Sequence, residues 1–346
     1  MKKVTLQSIA DKLSVSKALV SKALSGDPAV NEGTRETIWQ TAEELGYRFK
    51  TSRKPSAPMQ TGNMAVLMPR AYLDDMEYWG NVLHGIEKEL LEHQFSMLLS
   101  SIDIAQSPKE GLPSSIYDRK VDGAIVMGHL PDSYVTALKT HAIPFIMLDA
   151  NMLDPTVDHV LANNFLGAYH AVTYLLEKGH RRVAFVGDAD TAWSFRERCR
   201  GFDEAVRDFA RKTGEEVESA HIEGVGVSGK GMYTAPAFPD AVKGCFLKEK
   251  PVTGLFCAND LTAFEALKVL AELNVRCPDD VSVIGFDDLT LTKLMQPNLT
   301  TVRVPKSAIG SRAADLILRR IREPEAVPEL ILLSTELVER DSVTAI

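Results

Sequence analysis

The chain has 346 residues, 45% hydrophobic and 25% charged, with 22 glycines and 17 prolines. This is globular composition at a length that implies two or three domains, and it excludes fibrous, collagen-like and wholly disordered chains. The net charge of −8 divides unevenly, with +4 on residues 1–60 and −12 on the other 286, so a small basic head adjoins an acidic body and is the part suited to a polyanion.

No apolar run approaches the roughly 18 residues of a membrane span, and Met-Lys-Lys leads into polar residues rather than an apolar leader core. Cys199, Cys245, Cys257 and Cys277 form no C-x-x-C pair and no zinc spacing. Reduced thiols in a cytoplasmic protein are the expectation.

In chain order, the first 48 residues read as three short helices. Leu6, Ile9, Ala10 and Leu13 recur at helical spacing after Thr5, a capable N-cap. Ser16 can cap a second helix with Leu19, Val20, Ala23 and Leu24 inward, stopped by Gly26, Asp27 and Pro28. A third runs from about Glu32, capped by Asn31, to Leu45 and ends at Gly46. Residues 49–61 (KTSRKPSAPMQT from Lys50) hold two prolines and little to bury, and read as a linker.

From Met64 apolar runs alternate with helical stretches. The runs are MAVLMP, FSMLLSS, DGAIVMG, IPFIMLD, RVAFVGD, GLFCAND and VSVIGFDD. That alternation predicts parallel, doubly wound sheets, and some 285 residues are enough for two α/β subdomains. Ligands of open parallel sheets bind beyond the carboxyl ends of the strands, so the cleft between the subdomains is the expected site.

The head can be read chemically. Leu13–Ser14–Val15 is a tight turn that sets the second helix across the first, as in a helix-turn-helix. Lys17, Ala18, Ser21 and Lys22 fall opposite the apolar stripe and can enter a major groove. There Lys22 can donate to guanine O6/N7 and Ala18 can meet a thymine methyl. Thr5, Ser16, Ser21, Thr34 and Tyr47 supply hydroxyls of the kind that hold phosphates.

Val4–Thr5…Ile9–Ala10, Val15–Ser16…Val20–Ser21–Lys22, Val30…Thr34–Arg35 and Leu45–Gly46–Tyr47 together resemble, without gaps, the headpiece of the lac repressor/galactose repressor (LacI/GalR) family. Leu19 stands where the family has Thr. Lys22 stands where it has Arg, which exchanges a bidentate fork for a point charge. The family's linker carries A-x-x-L, a hinge helix whose Leu wedges into the minor groove. Here Ser56 occupies the Leu position, and Pro58 would crowd the carbonyl of Lys54 in a helix. Either Arg53 and Lys54 reach the minor groove from an extended arm, or the linker is a tether.

The body resembles the same family and its periplasmic sugar-binding relatives in YWGNVLHGIEKEL, NNFLGAYHAVTYLLEKGHRRVAFVGD, ERCRGFDEAV, FCANDLTAFEALKVL and VSVIGFDDLTLTKLMQPNLTTV. The resemblance implies effector contacts at Asp260, Arg198, Tyr78 and Trp79, with Asp149 at the cleft edge and Trp193 and Phe195 lining the pocket. Asn259 reads as a helix cap rather than a ligand contact.

Two features invite other chemistry. GVGVSGKG (224–231) holds G-x-G-x-x-G and G-x-x-x-x-G-K, but Gly231 replaces the Ser or Thr of a phosphate loop, and Pro236 and Pro239 interrupt the helix that should follow. A pocket loop is the better reading. His180, in EKGHRRV, has no nucleophile beside it and reads as a turn residue.

The expected architecture is an all-α helix-turn-helix headpiece (1–48), a linker (49–61) and a periplasmic-binding-protein-like α/β core (62–346). The core would comprise two doubly wound parallel-sheet subdomains, 62–161 plus 290–322 and 162–289 plus 323–346. The expected function is a transcriptional repressor, not an enzyme, with no catalytic residue, cofactor or metal.

Its partners are a palindromic double-stranded operator, a second copy of itself, and a small-molecule effector. A sugar or sugar derivative ranks first as effector and a purine second. A cytoplasmic, operator-bound protein without membrane contact is expected, and the absence of a C-terminal heptad helix favours a dimer. The rivals are an enzyme using GVGVSGKG as a phosphate cradle, which Lys230-dependent nucleotide binding would reveal, and a plain sugar-binding protein, which the headpiece argues against.

Overall fold

The computed structural model describes residues 5–24, 30–45, 61–150, 154–228 and 231–346. It divides into two compact units, Met1–Gln60 and Thr61–Ile346.

In the first unit the helices are α1 (Leu6–Leu13), α2 (Lys17–Leu24) and α3 (Glu32–Glu44). Each start is fixed by a side-chain oxygen that satisfies an otherwise unpaired amide. Thr5 and Ser8 form a reciprocal capping box on α1. The Ser16 hydroxyl accepts from the Leu19 amide at 3.1 Å, and Asn31 Oδ1 accepts from the Thr34 amide at 2.8 Å. Ser14, at φ 55°, closes the α1–α2 turn in a left-handed conformation. Ile9, Ala10, Val20, Ala23, Val30, Ile38 and Ala42 form the core.

The second unit opens with β1 (Asn63–Pro69), α4 (Met76–Glu92), β2 (Ser96–Ile102) and one-turn helices α5 (Pro108–Gly111) and α6 (Ser114–Tyr117). Then come β3 (Gly123–Met127), α7 (Asp132–Thr140), β4 (Phe145–Leu148), β5 (Asp158–Ala162), α8 (Asn164–Glu177), β6 (Arg182–Val186) and α9 (Trp193–Thr213). Next are β7 (Glu218–Ile222), β8 (Val225–Ser228), β9 (Gly231–Thr234), α10 (Phe238–Phe246), β10 (Gly254–Cys257), α11 (Asp260–Glu272) and β11 (Ser282–Asp287). The chain ends with β12 (Thr300–Arg303), α12 (Lys306–Arg322), β13 (Leu330–Leu333) and β14 (Glu336–Val338).

Two six-stranded sheets result. The first runs β2-β1-β3-β4-β5-β13, all parallel, and the second β7-β6-β10-β11-β12-β14, parallel except for antiparallel β14. Strands such as β1, β3 and β10 are buried on both faces, which is why they appear in sequence as unbroken apolar runs.

The chain passes between the sheets three times, after β5, after β12 and after β13. This corrects the expected subdomain limits. Thr300–Arg303 pairs with β11 and so belongs to the second subdomain, while Leu330–Leu333 extends the first sheet beside β5. The first subdomain is therefore 61–162 plus 304–333, and the second is 163–303 plus 334–346.

Helices α4 and α12 cross closely because glycine lines the crossing. A Cβ on Gly85 would lie 2.0 Å from the Ser307 carbonyl oxygen, and one on Gly310 would lie 2.0 Å from that of Val82. Among the described residues no helix is long and apolar enough to cross a membrane.

Candidate functional site

On the head, α2 buries Val20 and Ala23 and exposes Lys17, Ala18, Ser21 and Lys22. The 3.6-residue period makes that separation, and it leaves a continuous polar face with two cations. Thr5 and Ser16 are exposed while serving as caps, and Thr34 is half-buried at the start of α3. The expected contacts Tyr47, Arg53 and Lys54, and the hinge question with Pro55 and Pro58, lie outside the described residues.

In the second unit the carboxyl ends of the two sheets face each other, joined by Glu77 with Thr290 and by Lys306 with Asp287. Arg198, in the first turns of α9, is only 3% exposed. Its guanidinium donates to Asn164 Oδ1 at 2.9 Å, the Ala258 carbonyl at 2.6 Å and Asp287 Oδ1 at 3.1 Å. The Phe286 ring lies against it at 3.7 Å from the centroid. A planar fork with a carboxylate, an amide and a carbonyl on its edge and an aromatic face below is held in a single orientation.

Across the cleft, Tyr78 donates its hydroxyl to Asp149 Oδ2 at 3.1 Å. Asp75 caps α4 by accepting from the Tyr78 amide at 3.3 Å. Trp79 stacks on Tyr72 with centroids 4.7 Å apart and planes 7° from parallel.

Polar contacts span the subdomains here. Lys306, on α12, donates to the Asp287 carbonyl, and Glu77, on α4, accepts from the Thr290 amide. The Lys306 ammonium also lies 5.6 Å from the Tyr78 ring centroid.

Three aspartates at strand ends adopt left-handed backbone, Asp149 at φ 48°, Asp287 at φ 114° and Asp288 at φ 52°. Such backbone is costly for a residue with a Cβ, and asparagine and aspartate tolerate it better than most. Asp287 turns inward to Arg198. Asp288 turns outward to Arg340 and Arg303, which outweigh burial and hold its carboxyl below the usual range.

Burial dominates the inner carboxylates. It raises Asp149 and Asp287 against the pull of Arg198, and raises Asp75 against the hydrogen bond from the Tyr78 amide. A carboxyl raised in the fold favours folding below its unfolded pKa and loses that contribution as pH climbs through its folded value. These three groups therefore make the fold less stable as pH rises through their raised values.

Asp260 is not part of this constellation. It is fully buried, its Oδ2 accepts from the Leu289 amide at 2.8 Å, and its Oδ1 accepts from the Thr301 hydroxyl at 2.5 Å. A Cβ on Gly285 would sit 2.2 Å from Asp260 Oδ1, so the glycine makes room for an internal brace. Asp287 is the carboxylate beside Arg198. Asn259 caps α11 by accepting from the Thr262 amide and hydroxyl.

Phe195 is also a correction. At 2% exposure it belongs to the core beneath the guanidinium, 5.9 Å from it, and does not line an open pocket. Trp193 is half-buried at the first turn of α9.

The described residues of the glycine-rich segment pair in the antiparallel strands β8 and β9, Gly229 and Lys230 lie outside the described residues, and the next helix begins only at Phe238. Asp188 fastens it by accepting from the Gly224 amide at 2.6 Å and from the Tyr233 hydroxyl. His180 is buried in its turn, Nδ1 on the Thr253 hydroxyl and Nε2 on the Thr344 carbonyl, each at 3.1 Å.

Comparisons with known proteins match both units of the fold. A profile described as "Bacterial regulatory proteins, lacI family" matches residues 5–49, and one described as "Periplasmic binding protein-like domain" matches residues 172–343. The chain is 28% identical to the "Probable HTH-type transcriptional repressor ExuR" of Bacillus subtilis (strain 168), covering 98% of both chains.

Among solved structures, a "transcriptional regulator CelR-cellobiose complex" superposes with a TM-score of 0.67 at 25% identity, covering 98% of this chain and 99% of that one. A LacI family transcriptional regulator from Enterococcus faecium with bound ribose gives 0.66 at 25% identity over 82% and 99%.

Proposed function

The chain belongs to the LacI/GalR family of DNA-binding transcriptional regulators, and from that premise we propose a homodimeric repressor whose operator affinity is set by a sugar-class effector in the cleft. It is a regulator and not an enzyme. The observation that carries the effector assignment is the Arg198 guanidinium held between Asn164 and Asp287 at the strand ends.

A polyol presents donors and acceptors together. An amide, a carboxylate and a guanidinium in one arc can satisfy both kinds, and Tyr78 with Asp149 offers a second such pair opposite. Trp79, buried and stacked on Tyr72, backs that pair with an apolar wall and does not itself face a ligand. The solved relatives hold cellobiose and ribose, which supports the sugar class.

Occupancy couples to DNA through the Lys306 and Glu77 bridges. A ligand that competes for Asp287, or tightens it, alters how the subdomains meet and with them the spacing of two heads in a cytoplasmic dimer. A palindromic operator follows from two-fold symmetry, since a single head buries little surface for specific binding.

Calorimetric titration with a panel of neutral sugars, sugar acids and purine bases tests the assignment. Asp287→Asn should weaken the sugar that binds by about 10- to 100-fold, because a charged acceptor gives way to a neutral one. It should leave ligand-free operator binding in place. A purine that binds where no sugar does would overturn the sugar class, and unchanged affinity in the variant would remove Asp287 from the site.

On the head, Lys22→Ala should cost about 1–3 kcal/mol on the preferred operator and relax one base position per half-site. A binding screen over all single-base variants reads this directly. Uniform weakening across the variants would make Lys22 a phosphate contact.

A further inference from the structure

Outside the cleft, three metal-ligating side chains converge at the free edge of the second sheet. Cys199 and Asp203 stand four residues apart on one face of α9, and His221 lies on β7, the edge strand beneath that face. One ligand atom from each lies within 4.8 Å of the other two. The imidazole sits between its neighbours, Nδ1 4.0 Å from Cys199 Sγ and Nε2 2.9 Å from Asp203 Oδ1.

We propose that Cys199, Asp203 and His221 form a binding site for a divalent transition-metal ion of the zinc class, with solvent water completing the coordination.

The ligand chemistry selects that class. Thiolate, imidazole and carboxylate are the set zinc takes, in tetrahedral geometry with bonds of about 2.0–2.3 Å, which puts ligand atoms about 3.5 Å apart. A metal takes one imidazole nitrogen only, so binding requires the His221 ring to turn from its present place between Cys199 and Asp203, a rotation open to an exposed side chain. A hard cation such as calcium or magnesium would want more oxygens and would not use the sulfur.

The surroundings favour a cation. Burial first, and then the carboxylates of Asp203, Asp190 and Glu223, hold the Cys199 thiol up to about 12. A bound dication reverses that balance, for the thiol then gives its proton to solvent and ligates as thiolate. The Asp203 and His221 side chains are 40% and 42% exposed, which leaves an entry path. Phe185 and Phe202 pack against the imidazole at 6.0 and 5.8 Å and make the inner wall apolar. The spacing 199–203–221 matches no contiguous motif, so only the strand beside the helix reveals it.

Titration of the reduced full-length protein with cobalt(II) tests the site, because a thiolate ligand gives an intense sulfur-to-cobalt charge-transfer band. One equivalent should produce the band, and zinc should displace it. Cys199→Ser should abolish it, and His221→Gln, a change on the surface that leaves the core intact, should weaken binding by more than the 10- to 100-fold that outer-shell changes cost. Cys277→Ser, at a partly exposed thiol elsewhere, should leave it unaltered. No band in the wild-type protein, a band that survives in Cys199→Ser, or one lost in Cys277→Ser would each overturn the proposal.

Discussion

Raising salt from about 50 to about 200 mM should weaken the operator complex by about a thousandfold or more. The expectation rests on where the charge lies. Residues 1–60 carry the positive balance of a chain that is otherwise acidic, and α2 presents Lys17 and Lys22 on the face opposite Val20 and Ala23. Two heads that each neutralise several phosphates release that many counterions, so the affinity falls as a high power of salt.

The acidic body opposes that trend in part, because its repulsion of DNA is strongest at low salt and is screened as salt rises. Fluorescence anisotropy with a labelled operator across a salt series measures the slope. Lys17→Ala should lower that slope by about one unit per head and weaken all sequences alike, whereas Lys22→Ala should act chiefly on one base position. A flat salt response would mean that the heads do not carry the affinity.

Much of this molecule was legible before its structure. Strands buried on both faces show as apolar runs, so β1, β3, β4, β6, β10 and β11 were readable. The head was marked by three caps at Thr5, Ser16 and Asn31. Less visible were elements with a wet face or little length. β5 (DHVLA) sets three apolar residues beside two polar ones, β12 (TTVR) has a single apolar residue, and β7 (ESAHI) is an edge strand with one buried residue. Without β12 the crossing back to the first sheet appears too early, which is why the subdomain limits were misplaced.

The same gap affected the site. Sequence points to Arg198, Tyr78 and Asp149, and the structure brings these three near one another. Asn164 went unnamed because it follows β5. Lys306 went unnamed because it follows β12. Asp287 had a signal in plain sight, since a carboxylate ending a buried parallel strand stands at the ligand edge of the sheet. Asp260 drew attention instead because it opens a helix, and nothing in a linear sequence distinguishes an acid that faces a cleft from one that faces a glycine.

Asp260→Ala should therefore behave as a core mutation. It strands the Leu289 amide and the Thr301 hydroxyl in a site with no water access, at about 1–3 kcal/mol each. The melting temperature should drop by roughly 10 °C, at about 2–4 °C per kcal/mol for a unit of this size.

Asp260→Asn should be nearly neutral. Its carbonyl can accept from the Leu289 amide while its NH₂ donates to Thr301 Oγ1, so both contacts persist. The amide also removes a charge that the site disfavours, because burial first and then Asp287 push the Asp260 carboxyl well above its ordinary range. A group raised in the fold stabilises below its unfolded pKa and loses that contribution as pH rises through the folded value.

The wild-type protein should thus lose stability relative to Asp260→Asn as pH rises above the carboxylate range, and thermal melts at stepped pH resolve the divergence. Effector response should survive in Asp260→Asn and diminish in Asp287→Asn. A folded Asp260→Asn protein that bound operator but had lost its effector would return Asp260 to the ligand site and displace Asp287 from it.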